Sequence, residues 1–388
     1  MKVLIVHRLI ASFGGAHRYL CHLIGILNRM DCDVHLAINP SPATEKLISQ
    51  LIKDNVSVHF VAFDDLSPKE AGNTFDKLLN HIQPDVVDFE AAAKSVRAFA
   101  IYSEGFNASQ AVKLFTMHLP IVTDQSSLRS WKARVPYTHG WRALRERQKF
   151  VRCFDRGLSV SRYHARSIAR LLRIPELFFT VIPNGVDTSV FKPAANRQSR
   201  EKLKIVASGG LTPQKRFDIL IEAASHLPCI DGQFEVVIAG EGAERARLER
   251  LIERFNLTKK VYLQGHVADV AEFLRSADIY VLCSDSEGMP YSAIEAMACG
   301  LPCVMTNVGE LPALLRDKVD GLVIERGSPE KLASCIEVLL ENPELRLGYG
   351  LSARKRVLSK YDQARVEKIV ENYYTQLFKA NDVRDSYV

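Results

Sequence analysis

The stretch DIYVLCSDSEGMPYSAIEAMACG, residues 278–300, decides the fold class of this 388-residue chain. Its first seven residues form an almost continuous apolar run, which is typical of a strand buried on both faces of a sheet. DSEGM is a polar loop, and YSAIEAMACG is a short helix. Pro290 suits the first helical turn, where its missing N–H is not needed, and Gly300 is a common helix terminator. A strand, a loop and a helix in this order predict one unit of a parallel α/β sheet.

The same alternation runs through both halves of the chain. The first half contains the predicted strands KVLIVH, DVHLAIN, VSVHFVAF, PDVVDF, PIVTD, GLSVS and FTVIP, and the second contains LKIVASG, FEVVIAG, KVYLQG, DIYVLCS, PCVMTN and GLVIE. Between the halves, residues 184–202 have the Gly, Asn and Pro content of a linker. We predict two doubly wound, Rossmann-like α/β domains that face each other across a cleft, over residues 1–185 and 186–361. A helix over about 362–388 is expected to pack back onto the first domain.

Composition and charge are those of a globular protein without a membrane span. Apolar residues make up 47% of the chain, charged residues make up 25%, and the net charge is +6. No run of about 18 or more apolar residues occurs, and the N-terminal apolar run is too short for a signal peptide. The eight cysteines include no CxxC pair, and no histidine cluster has zinc spacing. We therefore expect a cytoplasmic protein with reduced thiols and no bound metal.

Functional residues are sought in the loops after strands, because ligands of open α/β sheets bind outside the carboxyl ends of the strands. The first candidate is FGGA, residues 13–16, where Gly14 and Gly15 precede a predicted helix. Consecutive glycines allow backbone N–H groups to approach an anion at a helix N-terminus. A plain turn is an equally good explanation. Neither half has GxGxxG between a strand and a helix, which disfavours an oxidoreductase.

The second candidate combines glycines with cations. In SGGLTPQKRFDIL, residues 208–220, the loop residue Gly210 is followed by Lys215 and Arg216 at a helix start. Cations at a helix N-terminus oppose the helix dipole, and a bound phosphate would offset that cost. A solvated Lys–Arg pair is the alternative.

The third candidate is the strand end QGHVAD, residues 264–269, with Gly265, His266 and Val267. A lone histidine at such a place is more often structural or solvated than a ligand-binding group. The segment becomes informative only in combination with the other strand ends.

Two glutamates eight residues apart form the fourth candidate. Glu287 lies in the loop before the helix, and Glu295 lies inside it among apolar residues, so we expect Glu295 to be half-buried. A buried carboxylate costs several kcal/mol unless it is hydrogen-bonded, and the paired hydroxyls of a ribose would satisfy both of its oxygens. N–H groups around Met289 and Tyr291 could hold a phosphate or sugar oxygen. A purely structural role of Glu295 remains the alternative.

Together these segments resemble a known family. EGMPYSAIE, residues 287–295, matches the E-x7-E motif of retaining nucleotide-sugar glycosyltransferases with the GT-B fold. TVIPNGVDTSVFKP resembles the inter-domain segment of that family, FGGA its N-terminal glycine loop and GGLTPQKRFD its phosphate-binding segment. The resemblance covers nearly the whole chain and is densest from about residue 156 to 325.

The resemblance implies a role for each matched position. The first domain becomes the acceptor side and the second the donor side. Glu287 would contact hydroxyls of the transferred sugar, Glu295 would hold the ribose, and Lys215 would neutralise the diphosphate. The other implied substrate-binding positions are Gly14 and Gly15 at the diphosphate, Gly288, Met289, Pro290 and Tyr291 at the sugar or diphosphate, and Gly265, His266 and Val267 at the base.

Two positions depart from the family pattern. The family usually has an arginine where Gly210 stands, and Arg216 is a possible substitute. The family also has a histidine after the strand that corresponds to PIVTD, where this chain has Asp124 and Gln125. His118 precedes that predicted strand. Asp124 is therefore our candidate for an acceptor-side contact or base, beside Lys215 and Glu287 as catalytic residues, and a structural role for Asp124 is equally plausible.

The resemblance implies transfer with retention, in which the diphosphate leaves and the acceptor hydroxyl attacks from the same face. A positively charged site stabilises the leaving group, whose oxygen can itself take the acceptor proton. We therefore expect a metal-independent hexosyltransferase without a cofactor, whose co-substrate is a nucleotide-diphosphate sugar. Two alternatives stay open: a phosphorylase of the same fold, and a sugar-nucleotide-binding protein with little or no activity.

Positive charge is concentrated in residues 126–174, where 13 Lys and Arg residues stand against two Asp and Glu residues. Trp131 and Trp141 lie in the same segment. Basic residues interleaved with aromatic ones suit an anionic membrane surface or a phosphate-bearing acceptor, and a solvated helix face is the alternative. We predict peripheral membrane contact during synthesis of an envelope glycan or glycolipid on a lipid-linked acceptor, and no nucleic-acid partner.

Overall fold

The computed structural model describes residues 1–7, 15–38, 56–61, 68–90, 103, 106, 108–117, 153–172, 174–195, 202–227 and 234–385. The chain divides into two compact units. One comprises Met1–Pro183 together with Glu367–Val388, and the other comprises Asn184–Val366. The first crossing between the units lies two residues before the predicted boundary at 185/186, and the second lies inside the C-terminal helix.

The first unit is an α/β sheet of parallel strands. Its described elements are β1 (Lys2–His7), α1 (Gly15–Arg29), β2 (Asp33–Ile38), β3 (Ser57–Phe60), α2 (Pro68–Ile82), β4 (Val86–Glu90), β5 (Val112–Met117), β6 (Arg156–Ser159), α3 (Arg162–Leu172) and β7 (Phe179–Val181). The strand order is β3-β2-β1-β4-β5-β6-β7. In β1, Val3 lies opposite Val34 on one side and Val86 on the other.

Strand β5 corrects the sequence interpretation of the first unit. We predicted a strand at PIVTD, which lies outside the described residues, and no strand at Val112–Met117. The structure places β5 at Val112–Met117, paired with β4 and β6. In the sequence, His118 follows directly after this observed strand, so it becomes a further candidate, while the predicted strand at PIVTD remains untested.

The first unit contains a buried carboxylate. Asp88 in β4 is 2% exposed, and it accepts hydrogen bonds from Oγ1 of Thr116 at 2.5 Å and from the hydroxyl of Tyr374 at 2.9 Å. Burial and the neighbouring charge of Asp88 raise the pKa of Tyr374 well above its ordinary value, so its hydroxyl remains a donor. This contact joins the C-terminal part of the chain to the sheet of the first unit.

The second unit contains strands at all six predicted positions. Its elements are β8 (Leu203–Ser208), α4 (Phe217–His226), β9 (Phe234–Ala239), α5 (Arg245–Arg254), β10 (Val261–Gly265), α6 (Val270–Arg275), β11 (Ile279–Leu282), α7 (Tyr291–Ala298), β12 (Cys303–Thr306), α8 (Leu311–Leu314), β13 (Gly321–Ile324), α9 (Pro329–Glu341), α10 (Pro343–Lys360) and α11 (Gln363–Asp385). The predicted fold class, with two parallel α/β sheets, is confirmed.

The connectivity of the second sheet determines where a ligand can bind. Its order is β10-β9-β8-β11-β12-β13, so β8 and β11 are neighbours in space but not in sequence. They pair in parallel, with Ile279 opposite Ile205 and Tyr280 opposite Val206. The chain winds in opposite directions from these two strands, which opens a crevice at their carboxyl ends. The loops after β8 and β11 therefore lie at the topological switch point.

Packing on both faces explains why the central strand β11 is apolar throughout. All four residues of β11 are buried, and Tyr280 and Val281 have no exposed surface. Full burial of such side chains contributes about 1.5–3 kcal/mol each relative to leaving them exposed. The sheet is thus a rigid base for the loops at its edge.

Candidate active site

Lys215 is positioned by the loop that follows β8. The chain passes through Gly209 and Gly210 into a 3-10 turn over Pro213–Lys215, and α4 begins at Phe217. The side chain of Lys215 lies close over the loop. A Cβ added at Gly209 would be 3.2 Å from Cε of Lys215. The ammonium group is thereby brought to the end of β8.

Glu287 comes from the loop after β11 and meets Lys215 directly. Nζ of Lys215 donates to Oε1 of Glu287 at 2.6 Å, and Oγ of Ser284 donates to the same oxygen at 2.6 Å. Glu287 is 6% exposed, and Ser284 is fully buried. Two residues that are 72 positions apart in the sequence thus form one largely buried ion pair at the switch point.

Further hydrogen bonds hold these two loops together. Nε2 of Gln214 donates to the carbonyl oxygen of Ser286 at 2.5 Å, and the amide of Asp285 donates to the carbonyl oxygen of Gln214 at 2.9 Å. The thiol of Cys283 donates to the carbonyl oxygen of Arg216 at 3.1 Å, and burial raises the pKa of this thiol to about 12. The thiol therefore stays protonated and keeps its donor role at neutral pH.

Arg216 is engaged by carboxylates rather than pointing freely into the site. Its backbone has φ 50 and ψ 41, the left-handed region, and it caps α4. Its guanidinium contacts Asp218 at 3.0 Å and Asp285 at 3.2 Å, and the bond to Asp218 is the main cause that raises the pKa of Arg216. Burial alone would raise the pKa of Asp218, but the guanidinium groups of Arg216 and Arg247 outweigh it and lower that pKa. Arg216 is thus committed to two carboxylates, which makes it a poor substitute for the missing arginine at Gly210.

The ends of β8, β9 and β10 approach each other through their backbones. The amide of Gly240 donates to the carbonyl oxygen of Gly265 at 2.7 Å, and a Cβ at Gly240 would lie 1.9 Å from the carbonyl oxygen of Gly209. Gly210 differs, because a Cβ there would meet its nearest atom at 3.7 Å. His266 is exposed and Val267 is partly exposed just beyond Gly265.

Glu295 lies in helix α7 and is more deeply buried than expected, at 2% exposure rather than about half. The helix begins at Tyr291, so Pro290 is its cap residue rather than its first helical residue. Pro290 offers no side-chain hydrogen bond to the first amides of the helix. The loop of Gly288 and Met289 leads through Pro290 directly into this helix.

Three residues that the sequence analysis did not single out shape this loop. Nδ2 of Asn184 donates to the carbonyl oxygen of Met289 at 2.7 Å, and Asn184 is 7% exposed. Gly309 has φ +56, and a Cβ there would lie 1.8 Å from the carbonyl oxygen of Glu287. The third residue is Ser284, whose hydroxyl donates to Oε1 of Glu287. Each has a residue type that favours turns, so only the fold distinguishes them from ordinary turn residues.

The candidate residues of the first unit are described only in part. Gly15 is the first residue of α1, whereas Gly14 and Asp124 lie outside the described residues. Of the basic segment 126–174, the structure describes residues 153–172 and 174. Within the described ranges, no three His, Cys, Asp or Glu side chains converge as in a metal site. No helix in those ranges is long and apolar enough to cross a bilayer.

Comparison with known protein families identifies the chain. Residues 13–190 match the family described as Glycosyltransferase Family 4, and residues 191–356 match Glycosyl transferases group 1. The chain belongs to the GT-B glycosyltransferases. The two matched ranges meet at 190/191, close to the boundary between the two structural units.

Individual relatives of this glycosyltransferase are distant. It is 30% identical to a phosphatidylinositol N-acetylglucosaminyltransferase subunit of Arabidopsis thaliana over 52% of this chain and 45% of the relative. It is 28% identical to an Escherichia coli UDP-Gal:alpha-D-GlcNAc-diphosphoundecaprenol alpha-1,3-galactosyltransferase over 52% of this chain and 55% of the relative. The chain thus spans about half the length of the curated relatives that it matches.

A solved structure shows the same fold over the whole length. The glycosyltransferase superposes on Anabaena HepE in complex with UDP with a TM-score of 0.79. The superposition covers 97% of this chain and 100% of HepE, at 19% identity. This likeness establishes the GT-B fold and nothing finer.

Proposed function

We propose that this glycosyltransferase moves a sugar from a nucleoside diphosphate sugar to an acceptor hydroxyl with retention of anomeric configuration. The observation that carries the proposal is the contact between Lys215 and Glu287 at the switch point of the second sheet. It places a cation suited to a diphosphate beside a carboxylate suited to sugar hydroxyls. The fold is shared with HepE, which has been crystallised with UDP and with UDP-glucose.

The donor would lie over the loops after β8 and β11. Lys215 has three N–H donors and uses one for Glu287, so others remain for oxygens of the diphosphate. The hydrogen bonds from Lys215 and Ser284 both go to Oε1 of Glu287, which leaves Oε2 to accept from a sugar hydroxyl. The backbone amides of Gly288, Met289 and Tyr291 would hold the remaining sugar or phosphate oxygens.

The nucleoside would extend toward β10. Glu295 would accept hydrogen bonds from the ribose hydroxyls, which fits a carboxylate that is 2% exposed on a helix adjoining this loop. The base would lie near Gly265, His266 and Val267, where the strand ends are held together by backbone hydrogen bonds. Recognition through backbone groups leaves the identity of the base open to experiment.

The chemical step would need no protein nucleophile. The bond between the anomeric carbon and the diphosphate oxygen breaks, and the acceptor oxygen bonds to the same face of that carbon. The acceptor proton passes to the departing phosphate oxygen. Lys215 stabilises the negative charge that develops on the diphosphate, an effect strengthened by partial burial. We propose that the reaction proceeds without a metal or a cofactor.

The first unit would bind the acceptor. Gly15 opens α1 after β1, and with Gly14 it would approach the diphosphate. Asp124 remains a candidate for an acceptor-side contact or base. His118 joins it as a second candidate, since it follows directly after the observed strand β5. Activity measurements on Asp124→Asn and His118→Ala would decide between them.

The acceptor would be lipid-linked and part of an envelope glycan or glycolipid, and the enzyme would act at the cytoplasmic face of a membrane. Helix α3 supports this, because Arg162, Arg166 and Arg170 follow at intervals of four residues and are all exposed, with Tyr163 beside them. Such a face suits anionic headgroups. The two curated relatives described above carry names that specify a phosphatidylinositol and a diphosphoundecaprenol acceptor.

A thermal-shift panel with UDP, GDP, ADP and their sugar conjugates tests the proposal, because a ligand that binds only the folded protein raises its melting temperature. We expect the nucleotides of one base to raise the melting temperature. NMR of the product formed from the corresponding donor should show that the anomeric configuration is retained. An unchanged melting temperature with every nucleotide at millimolar concentration would refute the proposal. Flotation with liposomes that contain or lack anionic lipid tests the membrane contact, and absence of binding at low salt would refute that part.

A further inference from the structure

The cation proposed to bind the diphosphate has an anionic partner within the protein itself. Nζ of Lys215 lies 2.6 Å from Oε1 of Glu287, and the two side chains are only 19% and 8% exposed. Partial burial strengthens their attraction relative to a surface pair. An incoming phosphate must therefore share Lys215 with Glu287 or displace it.

Glu287 is held in place and cannot readily swing away. Its Oε1 also accepts from Ser284, whose own carbonyl oxygen accepts from Oγ1 of Thr306 at 2.8 Å. On the backbone side, Gly309 packs so closely that a Cβ there would lie 1.8 Å from the carbonyl oxygen of Glu287. Neighbouring residues therefore hold both the backbone of Glu287 and one of its carboxylate oxygens.

A phosphate oxygen bound to Lys215 would thus stay close to this carboxylate. An oxygen that accepts from the same ammonium group lies about 2.8 Å from Nζ, which places it about 4–5 Å from Oε1 of Glu287. Two negative groups at that separation repel each other. A sugar attached to the diphosphate changes the balance, because its hydroxyls can donate hydrogen bonds to the carboxylate.

We propose that Glu287 selects sugar-bearing nucleotides over bare nucleoside diphosphates, and that this selection promotes release of the product nucleotide. This rests on the proposed function. A bare diphosphate has one more negative charge on its terminal phosphate and no hydroxyl donor to offer Glu287. After transfer, the sugar leaves with its hydroxyls, and the carboxylate again faces only phosphate. The ion pair with Lys215 persists as the nucleotide departs.

Titration calorimetry on wild type and Glu287→Gln tests the selection. With UDP, GDP and ADP as probes, we expect the base that binds wild type to bind Glu287→Gln on the order of tenfold tighter, because the like charge is gone. The corresponding UDP-glucose, GDP-mannose or ADP-glucose should bind Glu287→Gln no tighter than it binds wild type. The readout is the ratio of the dissociation constant of the bare diphosphate to that of its sugar conjugate, compared between wild type and Glu287→Gln.

Glu325→Gln is the matched control, because Glu325 pairs with Lys331 at 2.7 Å on the surface of the same unit. It should leave both dissociation constants within twofold of wild type. Ser284→Ala is a second variant in case Glu287→Gln fails to fold. It keeps the charge of Glu287 but loosens the carboxylate, so the bare diphosphate should bind about two- to fivefold tighter.

Unchanged or weaker binding of the bare diphosphate to folded Glu287→Gln would overturn the inference while leaving the proposed function intact. If wild type binds neither the three diphosphates nor their sugar conjugates, the proposed function fails and the inference falls with it. The inference would also be overturned if Glu287→Gln bound the bare diphosphate and the sugar nucleotide more tightly by the same factor. The carboxylate would then oppose all anions without selection.

Discussion

The side-chain amide of Asn184 donates to the carbonyl oxygen of Met289 at 2.7 Å, which ties the first residue of the second unit to the proposed donor loop. Both residues are buried, with 7% and 5% exposure. The bond orients the peptide between Met289 and Pro290, immediately before helix α7. The segment where the chain enters this unit thus helps to set the shape of the loop that carries Glu287.

We predict that Asn184→Asp lowers kcat/KM about ten- to hundredfold and also lowers the melting temperature. Aspartate has the same shape but no N–H donor, so it would place a carboxylate oxygen against the carbonyl oxygen of Met289. A buried, unsatisfied polar group costs about 1–3 kcal/mol. Steady-state kinetics and thermal unfolding measure both effects.

Asn342→Asp is the control for this variant. Nδ2 of Asn342 donates to the carbonyl oxygen of Val338 at 2.7 Å, but the bond is solvent-exposed. Water can replace an exposed bond, so kcat/KM should stay within twofold of wild type. A folded Asn184→Asp enzyme with normal kcat/KM would show that the bond has no influence on the donor loop.

We also predict that Lys215→Ala and Glu287→Ala each lower turnover at least tenfold while the protein stays folded. The first variant removes the cation that stabilises the leaving diphosphate, and the second removes the acceptor for sugar hydroxyls. Lys331→Ala and Glu325→Ala break a surface pair of similar length and should leave turnover unchanged. A near-normal rate in either site variant would exclude that residue from the active site.

Gly210→Arg should strengthen binding of the nucleotide. A side chain at Gly210 has room, since its Cβ would meet its nearest atom at 3.7 Å, and Gly210 precedes Lys215 in the loop after β8. A charge-assisted hydrogen bond to phosphate contributes about 1.5–3 kcal/mol, which corresponds to a Kd roughly ten- to hundredfold lower. Titration calorimetry with the nucleoside diphosphate that binds wild type measures the change.

Gly348→Arg is the control for added charge, because Gly348 lies on α10 and a Cβ added there would meet no atom within 4 Å. It should not alter the Kd. If Gly210→Arg folds and binds the nucleotide no more tightly than Gly348→Arg does, the loop after β8 does not contact the diphosphate.

Asp320→Asn should lower stability at neutral pH but not in acid. Asp320 has no exposed side-chain surface, and it accepts from Arg316 at 2.7 Å and from Ser352 at 2.7 Å. Burial alone would raise its pKa, but the hydrogen bonds to Arg316 and Ser352 outweigh burial and lower that pKa. Because the folded pKa is depressed, the stabilisation is present above the unfolded pKa, near 3.9, and is lost as pH falls through the folded value.

Urea unfolding of wild type and Asp320→Asn at several pH values measures this effect. We expect a deficit of about 1.5–3 kcal/mol in the free energy of unfolding at pH 7, which shrinks below about pH 4. Asp317→Asn is a nearby comparison, because the hydrogen bond that Asp317 accepts from the amide of Val323 is exposed. A deficit for Asp320→Asn that stays constant between pH 7 and pH 3 would contradict this assignment.

The sequence alone determined the α/β fold and most of the second unit. Strands buried on both faces read as apolar runs, and glycines and prolines separate them from helices, so the six strands from β8 to β13 could be located by pattern. The spacing of Glu287 and Glu295 is likewise local, since a loop and one helix separate them. The strand at Val112–Met117 was missed because Lys113 and Thr116 interrupt its apolar run.

Only the tertiary structure decided which of the candidate groups meet. Lys215 and Glu287 are 72 residues apart, and they form an ion pair because β8 and β11 are neighbours at the switch point. The structure likewise assigns Arg216 to two carboxylates and brings Asn184 to Met289. Hydrogen bonds of about 3 Å depend on how strands are ordered in the sheet, and that order is a long-range property that local sequence patterns do not encode.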